Sequence, residues 1–132
     1  MEQSEVGRLE RLWKRRRGPA WMFAAVESER LRDELIGRLD ACRMDSRLQL
    51  PTNPKYLEGI LAKAGAQRAH LVLPPGSWTP DAPWWKFVNA HRVSLAAAFP
   101  RPVIWWLPDA CITTAARCAR DSWNWRDAVF YF

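Results

Sequence analysis

Seven consecutive apolar residues, AWMFAAV, run from Ala20 to Val26. A short, uninterrupted apolar run of this kind is typical of a strand that is buried on both faces of a parallel sheet. Gly18 and Pro19 separate it from the segment before it, and Ser28 follows it as a residue suited to capping a helix. The run therefore predicts a central strand that leads directly into a helix.

Around this run, the chain alternates between helical and strand patterns. An apolar stripe at helical spacing predicts an N-terminal helix over 3–17, within a basic amphipathic segment over 1–18; it consists of Val6, Leu9, Leu12 and Trp13. Further strands are predicted at 46–50, 68–73, 103–107 and 127–132, with helices at 28–43, 53–65 and 83–98 and from residue 108 or 109 onward. Such alternation is typical of parallel βαβ units.

We therefore expect one α/β domain over residues 1–132. Its expected architecture is a three-layer sandwich of about five mostly parallel strands with flanking helices. The topology is expected to be that of a degenerate P-loop NTPase-like or Rossmann-like fold. Because the chain ends inside a predicted strand, we expect the domain to be a module of a longer protein.

The composition indicates a soluble, cytoplasmic protein. The chain has only three cysteines, Cys42, Cys111 and Cys118, and a small, odd number does not form a disulfide framework. The charged N-terminus does not resemble a signal peptide, and no apolar run approaches the roughly 18 residues of a membrane span. Seven of the nine tryptophans follow residue 77, so the heavier part of the core is expected in the second half.

The turns that follow the predicted strands lack the residues of a nucleotide site. A phosphate-binding loop needs glycines and often a lysine, but the first strand leads into Glu27-Ser28-Glu29. The third strand leads into Pro74-Pro75-Gly76, where the nearest carboxylate for a magnesium ion is Asp81. We therefore expect no cofactor, no cofactor-binding residue and no enzymatic activity.

The histidines and cysteines do not form a metal-binding or catalytic pattern. His70 lies in an apolar strand and His91 on the inner stripe of a helix, so both are expected to be buried and hydrogen-bonded. Zinc needs three or four clustered ligands, which the spacing of Cys111 and Cys118 does not supply. Cys111 follows a helix start, which could lower its pKa, but a small buried thiol is the favoured interpretation. No metal-binding or catalytic residue is predicted.

The net charge of +6 is concentrated near the N-terminus, where Lys14, Arg15, Arg16 and Arg17 form the densest basic run. A solvated helix end is the favoured interpretation, since cations also complement the helix dipole. The alternative is a patch that binds nucleic acid or an acidic partner.

Three segments of the second half resemble a known module. They are Phe87–Arg92 (FVNAHR), Pro102–Pro108 (PVIWWLP) and Asp121–Phe132 (DSWNWRDAVFYF). This succession, best matched over residues 84–132, resembles an α/β module near the N-termini of bacterial signal-transduction NTPases and tetratricopeptide-repeat multidomain proteins. The core of that module is similar to a P-loop NTPase without the phosphate loop. The resemblance implies a signature made of Asn89, Arg92, Trp123, Trp125 and Arg126.

From the residues themselves, Asn89 and Arg92 are expected to share a helix face. Trp123 and Trp125 are expected to face one way in an extended segment, with Arg126 stacked on an indole. These contacts are interpreted either as fold-stabilising or as part of an interaction surface.

The resemblance implies a non-enzymatic regulatory or protein–protein interaction module associated with a bacterial signalling or defence NTPase, repeat protein or effector. Its partners would be another protein or adjoining domains of a longer chain, with self-association left open, and no membrane is expected. One alternative is a nucleic-acid-binding module that uses Lys14–Arg17 and a tryptophan as a stacking platform. The other is a degenerate nucleotide-sensing domain.

Overall fold

A computed structural model of the chain describes the backbone of residues 2–132 and the side chains of residues 5–132. It contains a five-stranded sheet in the order β2-β3-β4-β1-β5, in which every neighbouring pair is parallel. The strands are β1 (Ala20–Ala25), β2 (Ser46–Gln49), β3 (Ala69–Val72), β4 (Pro102–Leu107) and β5 (Arg126–Tyr131). The predicted parallel α/β sheet is therefore confirmed.

Seven α-helices flank this sheet in the described part of the chain. They are α1 (Glu2–Arg15), α2 (Glu29–Leu39), α3 (Leu57–Ala62), α4 (Ala82–Ala90), α5 (Arg92–Ala98), α6 (Asp109–Cys118) and α7 (Arg120–Asn124), with a 3₁₀ turn at Pro54–Tyr56 before α3. None of these helices has both the length and the apolar character needed to cross a membrane.

Alternate residues of β1 and β4 build two cores, one on each face of the sheet. Phe23 and Trp105 point toward α3–α7, whereas Met22 and Trp106 point toward α1 and α2. Both strands are buried along their whole length, which explains their uninterrupted apolar sequences. The three-layer arrangement is thus the direct result of burying two strands on both faces.

The N-terminal helix that the apolar stripe predicts is present, and it packs on the sheet face that carries Met22 and Trp106. Val6, Leu9 and Trp13 are buried against the sheet and α2. Burying side chains of this size contributes on the order of 2 kcal/mol each. Residue 1 of the predicted 1–18 segment lies outside the described residues.

The strand predicted at 127–132 is present as β5 and is paired within the sheet. β5 lies at one edge beside β1, and Phe130 is completely buried. A side-chain nitrogen of Arg8 donates a hydrogen bond at 2.9 Å to the backbone carbonyl of Val129. This contact satisfies one of the polar groups that an edge strand leaves without a strand partner.

Two helical predictions need correction. The predicted helix over 83–98 is broken at His91, which has φ −109° and ψ 15° and separates α4 from α5. The segment after α6 was expected to be extended. Instead, residues 120–124 form the short helix α7, which begins directly after α6 ends at Ala119. No proline or glycine occurs at either break, so the usual sequence signals are missing.

The connections between the strands determine which segments meet at each end of the sheet. The chain leaves β1 for the far edge of the sheet at β2, then returns through β3 and β4 and passes to the other side of β1 at β5. The connection that leaves β1 and the connection that leaves β4 therefore run in opposite directions across the sheet. In open α/β sheets, ligands usually bind beyond the carboxyl ends of two neighbouring strands of this kind. Because all strands are parallel, the segments that precede them lie together at the other end of the sheet. We call that end the amino edge, and we call the end with the crevice the carboxyl edge.

Candidate functional site

The carboxyl ends of β1, β3 and β4 surround a cavity of about 190 Å³. Glu27, Ser28 and Glu29 lie on its wall, and the Ser28 hydroxyl accepts a hydrogen bond from the backbone N–H of Leu31 at 3.1 Å. Ser28 thus caps α2 at the position where a phosphate loop would present backbone N–H groups to a ligand. Two carboxylates at this turn disfavour a polyphosphate.

Asp81 is the carboxylate that lies nearest to the end of the third strand in the sequence. Its carboxylate accepts a hydrogen bond at 3.1 Å from the backbone N–H of Trp84 and caps α4. No group of three or more metal-ligating side chains is found among the described residues. Asp81 is therefore a structural cap.

His70 is buried and hydrogen-bonded, as predicted. Its Nε2 lies 2.7 Å from Oδ2 of Asp45, and the indole Nε1–H of Trp13 donates to the same oxygen at 3.0 Å. His70 is fully buried and the Asp45 side chain is only 6 % exposed. These contacts join β3 to α1 through one buried carboxylate, which satisfies the polar groups that burial would otherwise penalise.

His91 is exposed, so the prediction that it is buried is wrong. Its ring stacks on Phe87 with 3.9 Å between ring centroids, and Nδ1 lies 2.9 Å from the Phe87 carbonyl oxygen. The break between α4 and α5 turns this position out of the inner stripe.

Cys111 is buried, and its environment opposes thiolate formation. Burial raises the pKa of the Cys111 thiol, and a hydrogen bond with Thr79 offsets only part of that effect. The suggestion that the helix start lowers this pKa is therefore wrong, because burial of the thiol raises it. The favoured interpretation, a small buried thiol, is confirmed.

The five signature residues gather around α7. Oδ1 of Asn89 accepts hydrogen bonds from the backbone N–H groups of Asp121 at 2.8 Å and Ser122 at 3.1 Å, and so caps α7 from α4. Nη1 of Arg92 lies 3.6 Å from Oδ2 of Asp121 and donates to the Asn89 carbonyl oxygen at 2.8 Å. Asn89 belongs to α4 and Arg92 to α5, so the expectation that they share one helix face is wrong, although both side chains contact the start of α7.

The two tryptophans of the signature face different environments. Trp123 packs against the core, with its ring 5.2 Å from that of Phe23, and the Arg126 guanidinium stacks on it at 4.5 Å. Trp125 is 46 % exposed. The expectation that both face one way in an extended segment is wrong, because Trp123 belongs to α7 and Trp125 ends that helix.

Trp125 is held in place although it is exposed. Its ring lies 6.4 Å from that of Trp21, and the guanidinium of Arg92 lies 5.5 Å from its centroid. Beside it is a cleft of about 160 Å³ lined by Pro19, Ala20, Trp21, Ala96 and Trp125. We call this cleft the Trp125 cleft. All five residues that line it have apolar side chains, and it lies at the amino end of β1.

A second cleft lies at the same edge, on the other face of the sheet. It has a volume of about 380 Å³, and we call it the Met44 cleft. Its apolar wall includes Trp13, Leu39 and Met44, and the Met44 side chain is 63 % exposed. Three basic residues and two acidic residues also line it, so basic groups outnumber acidic ones: Lys14, Arg38, Arg68, Asp40 and Asp45.

The basic run Lys14–Arg17 lies between the two clefts and is exposed along its length. Arg16 pairs with Asp127 at the start of β5, and a nitrogen of Arg17 donates to the Lys14 carbonyl oxygen at 2.7 Å. Arg16, Arg17 and Arg68 line a shallow cavity in the middle of this edge. The amino edge thus carries a basic strip with an apolar cleft on each side.

Sequence reasoning found the basic run and Trp125 but missed Met44 and Arg68. A usable signal was present, because residues that directly precede parallel strands must meet at one edge. Cys42–Asp45 precede β2, Gln67 and Arg68 precede β3, and Trp125 precedes β5.

The chain was compared with family models, curated proteins and solved structures, and no match was found in any of the three.

Proposed function

We propose that this domain is a non-enzymatic interaction module that docks an acidic segment of a protein partner on the amino edge of its sheet. The observation that carries the proposal is the exposed Trp125, fixed between Trp21 and Arg92 next to an apolar cleft and a basic strip. A rigid aromatic anchor with neighbouring arginines is the composition that protein interfaces favour.

The chemistry of the edge selects the partner. The basic strip favours carboxylates, and electrostatic attraction between opposite charges speeds encounter and excludes like-charged partners. Each cleft has room for apolar side chains, and desolvating these at the clefts would provide most of the affinity. The expected ligand is therefore an acidic segment that carries one or two large apolar residues.

The biological setting is part of the proposal and derives from the resemblance of residues 84–132. That resemblance supports a regulatory role in a bacterial signalling or defence protein, in the cytoplasm and next to an NTPase, a repeat array or an effector. The absence of glycine and lysine in the Glu27–Glu29 turn favours an interaction role over nucleotide turnover.

Fluorescence anisotropy with two labelled synthetic peptides tests the proposal. Both peptides carry a central Leu-Phe pair, flanked by Glu and Asp in one and by Lys and Asn in the other. The acidic peptide should bind more tightly, and the double variant Arg15→Glu/Arg17→Glu should weaken its binding at least fivefold, or roughly 1 kcal/mol. Lys55→Glu, an exposed charge reversal at the opposite edge, serves as the control. Equal binding of both peptides would contradict the proposal.

A second candidate is nucleic-acid binding, favoured by the cavity that Arg16, Arg17 and Arg68 line near the exposed indole of Trp125. Labelled single-stranded and double-stranded oligonucleotides in the same assay distinguish the two. Tight binding that falls steeply with salt, together with no preference for the acidic peptide, would favour this candidate.

A further inference from the structure

Arg32 is the one buried arginine or lysine among the residues that the structure describes, with 8 % of its surface exposed. It lies in the first turns of α2, at the carboxyl edge of the sheet and thus opposite the docking edge. Buried arginines are normally fully paired, because an unpaired charge is costly to remove from water. Incomplete pairing of the Arg32 guanidinium would therefore indicate a site for an anionic ligand.

That pairing is incomplete. Nε of Arg32 donates to Oδ1 of Asp33 at 3.1 Å, and Arg47 binds the same oxygen. Burial alone would raise the pKa of Asp33, but the hydrogen bonds from Arg32 and Arg47 outweigh it and lower that pKa. Asp33 is thus an anion shared by two arginines. Within the described part of the chain, no side-chain or backbone acceptor is bonded to either Nη group of Arg32.

Neither Nη group is fully buried, so the unpaired end of the guanidinium is accessible, and Arg32 lines two cavities. The crevice at the ends of β1, β3 and β4 and a second cavity of about 290 Å³ are both lined by Arg32, Glu29 and Leu73. A guanidinium fork binds a carboxylate or phosphate through two parallel hydrogen bonds. The first N–H groups of α2 add positive partial charge on the same side.

The neighbouring carboxylates restrict which anion fits. Glu27 and Glu29 line the crevice, so a polyphosphate would meet two negative charges there. A ligand with one carboxylate and one ammonium group meets complementary charges at both ends. Leu73, Trp78 and Pro108 provide apolar wall for a side chain.

We propose that this crevice binds a small zwitterion of the α-amino acid class. Its carboxylate pairs with the Nη groups of Arg32, and its ammonium group lies beside Glu27 and Glu29. The site is separate from the docking edge, and it does not depend on the proposed interaction function.

Calorimetric titration of the full chain with each of the 20 common L-amino acids tests this site, with acetate, methylamine and inorganic phosphate as probes that carry charge of only one sign. At least one amino acid should bind, and these three probes should bind at least tenfold more weakly. Arg32→Gln should weaken binding about tenfold or more, which is the expected loss for a charged hydrogen bond. Arg30→Gln, a change at an exposed arginine two positions away, should leave binding unchanged.

If Arg32→Gln does not fold, as circular dichroism would show, Glu27→Gln serves as the second variant because that side chain is exposed. Glu27→Gln should weaken amino-acid binding. No binding of any amino acid at millimolar concentration to the folded protein would overturn the proposal. Phosphate or acetate binding that equals amino-acid binding and strengthens in Glu27→Gln would also overturn it, because the site would then be a simple anion site.

Discussion

Nδ1 of His70 accepts a hydrogen bond from the indole Nε1–H of Trp106, 3.0 Å away on the neighbouring strand. An indole nitrogen can only donate, so Nδ1 carries no proton. The proton is therefore on Nε2, which donates to the Asp45 carboxylate. His70 is thus a neutral bridge between β4 and Asp45, in a single tautomer determined by its two neighbours.

Replacing His70 with alanine should destabilise the protein by about 3 kcal/mol or more. The change removes the partner of the Trp106 N–H and one partner of the Asp45 carboxylate, and each buried unsatisfied group costs roughly 1–3 kcal/mol. Urea unfolding measures the effect. His91→Ala, at the exposed histidine, is the matched control and should change stability by no more than about 0.5 kcal/mol. A similar small change in both variants would show that the buried network contributes little.

The fold was predictable where burial is extreme. AWMFAAV and VIWWL are continuous apolar runs because β1 and β4 are covered on both faces, and a run of that kind has few alternative structures. The other three strands and α1 were also predicted, α1 from its apolar stripe at helical spacing.

The parts that could not be predicted depend on contacts between distant residues. α7 is capped by the side chain of Asn89, 32 positions before Asp121 in the sequence, and no local pattern reports such a cap. Arg32 looks like any helical arginine in the sequence, and only packing reveals that it is buried between two cavities. The Met44 cleft combines residues that are far apart in the sequence, such as Trp13, Leu39 and Arg68, so no local pattern indicates it.

Asn89→Ala should destabilise the protein by about 1–2 kcal/mol, because it removes the acceptor for two N–H groups at the start of α7. Asn89→Asp keeps that acceptor and should lose less, although it places a second carboxylate near Asp121. Thermal and urea unfolding compare the two variants. Asn124→Ala, an exposed change in the same helix, is the control. Equal losses in Asn89→Ala and Asn124→Ala would rule out the cap.

The two neighbouring tryptophans should separate stability from binding. Trp123→Ala should cost roughly 2–3 kcal/mol, because it removes a half-buried ring from the core and the stack with Arg126. Trp125→Ala should cost about 1 kcal/mol or less of stability. It should, however, weaken binding of the acidic peptide more strongly than Trp123→Ala does. Unfolding curves and anisotropy on both variants test this. The reverse order of the two stability losses would contradict the assigned environments.

Cys111 should react slowly in the folded protein. Burial raises the pKa of its thiol, which lowers the thiolate fraction at a given pH, and the thiol is also buried whereas Cys42 is exposed. Iodoacetamide labelling followed by mass spectrometry should modify Cys42 first and Cys111 only after unfolding. By linkage, the raised folded-state pKa contributes stability below the ordinary thiol pKa, and this contribution is lost as the pH rises above it. Equal labelling rates would contradict the buried placement.

The most direct measurement of the docking proposal is a ¹H–¹⁵N correlation titration of the labelled full chain with the acidic Leu-Phe peptide. The account predicts shifts at the Trp125 indole N–H and at the amides of residues 14–18, 42–45 and 67–68, all on the amino edge. It also predicts that Trp125→Ala reduces the shifts across that edge and that Lys55→Glu does not. Shifts confined to the carboxyl edge around residues 27–32 and 74–79, or no shifts at millimolar peptide, would contradict it.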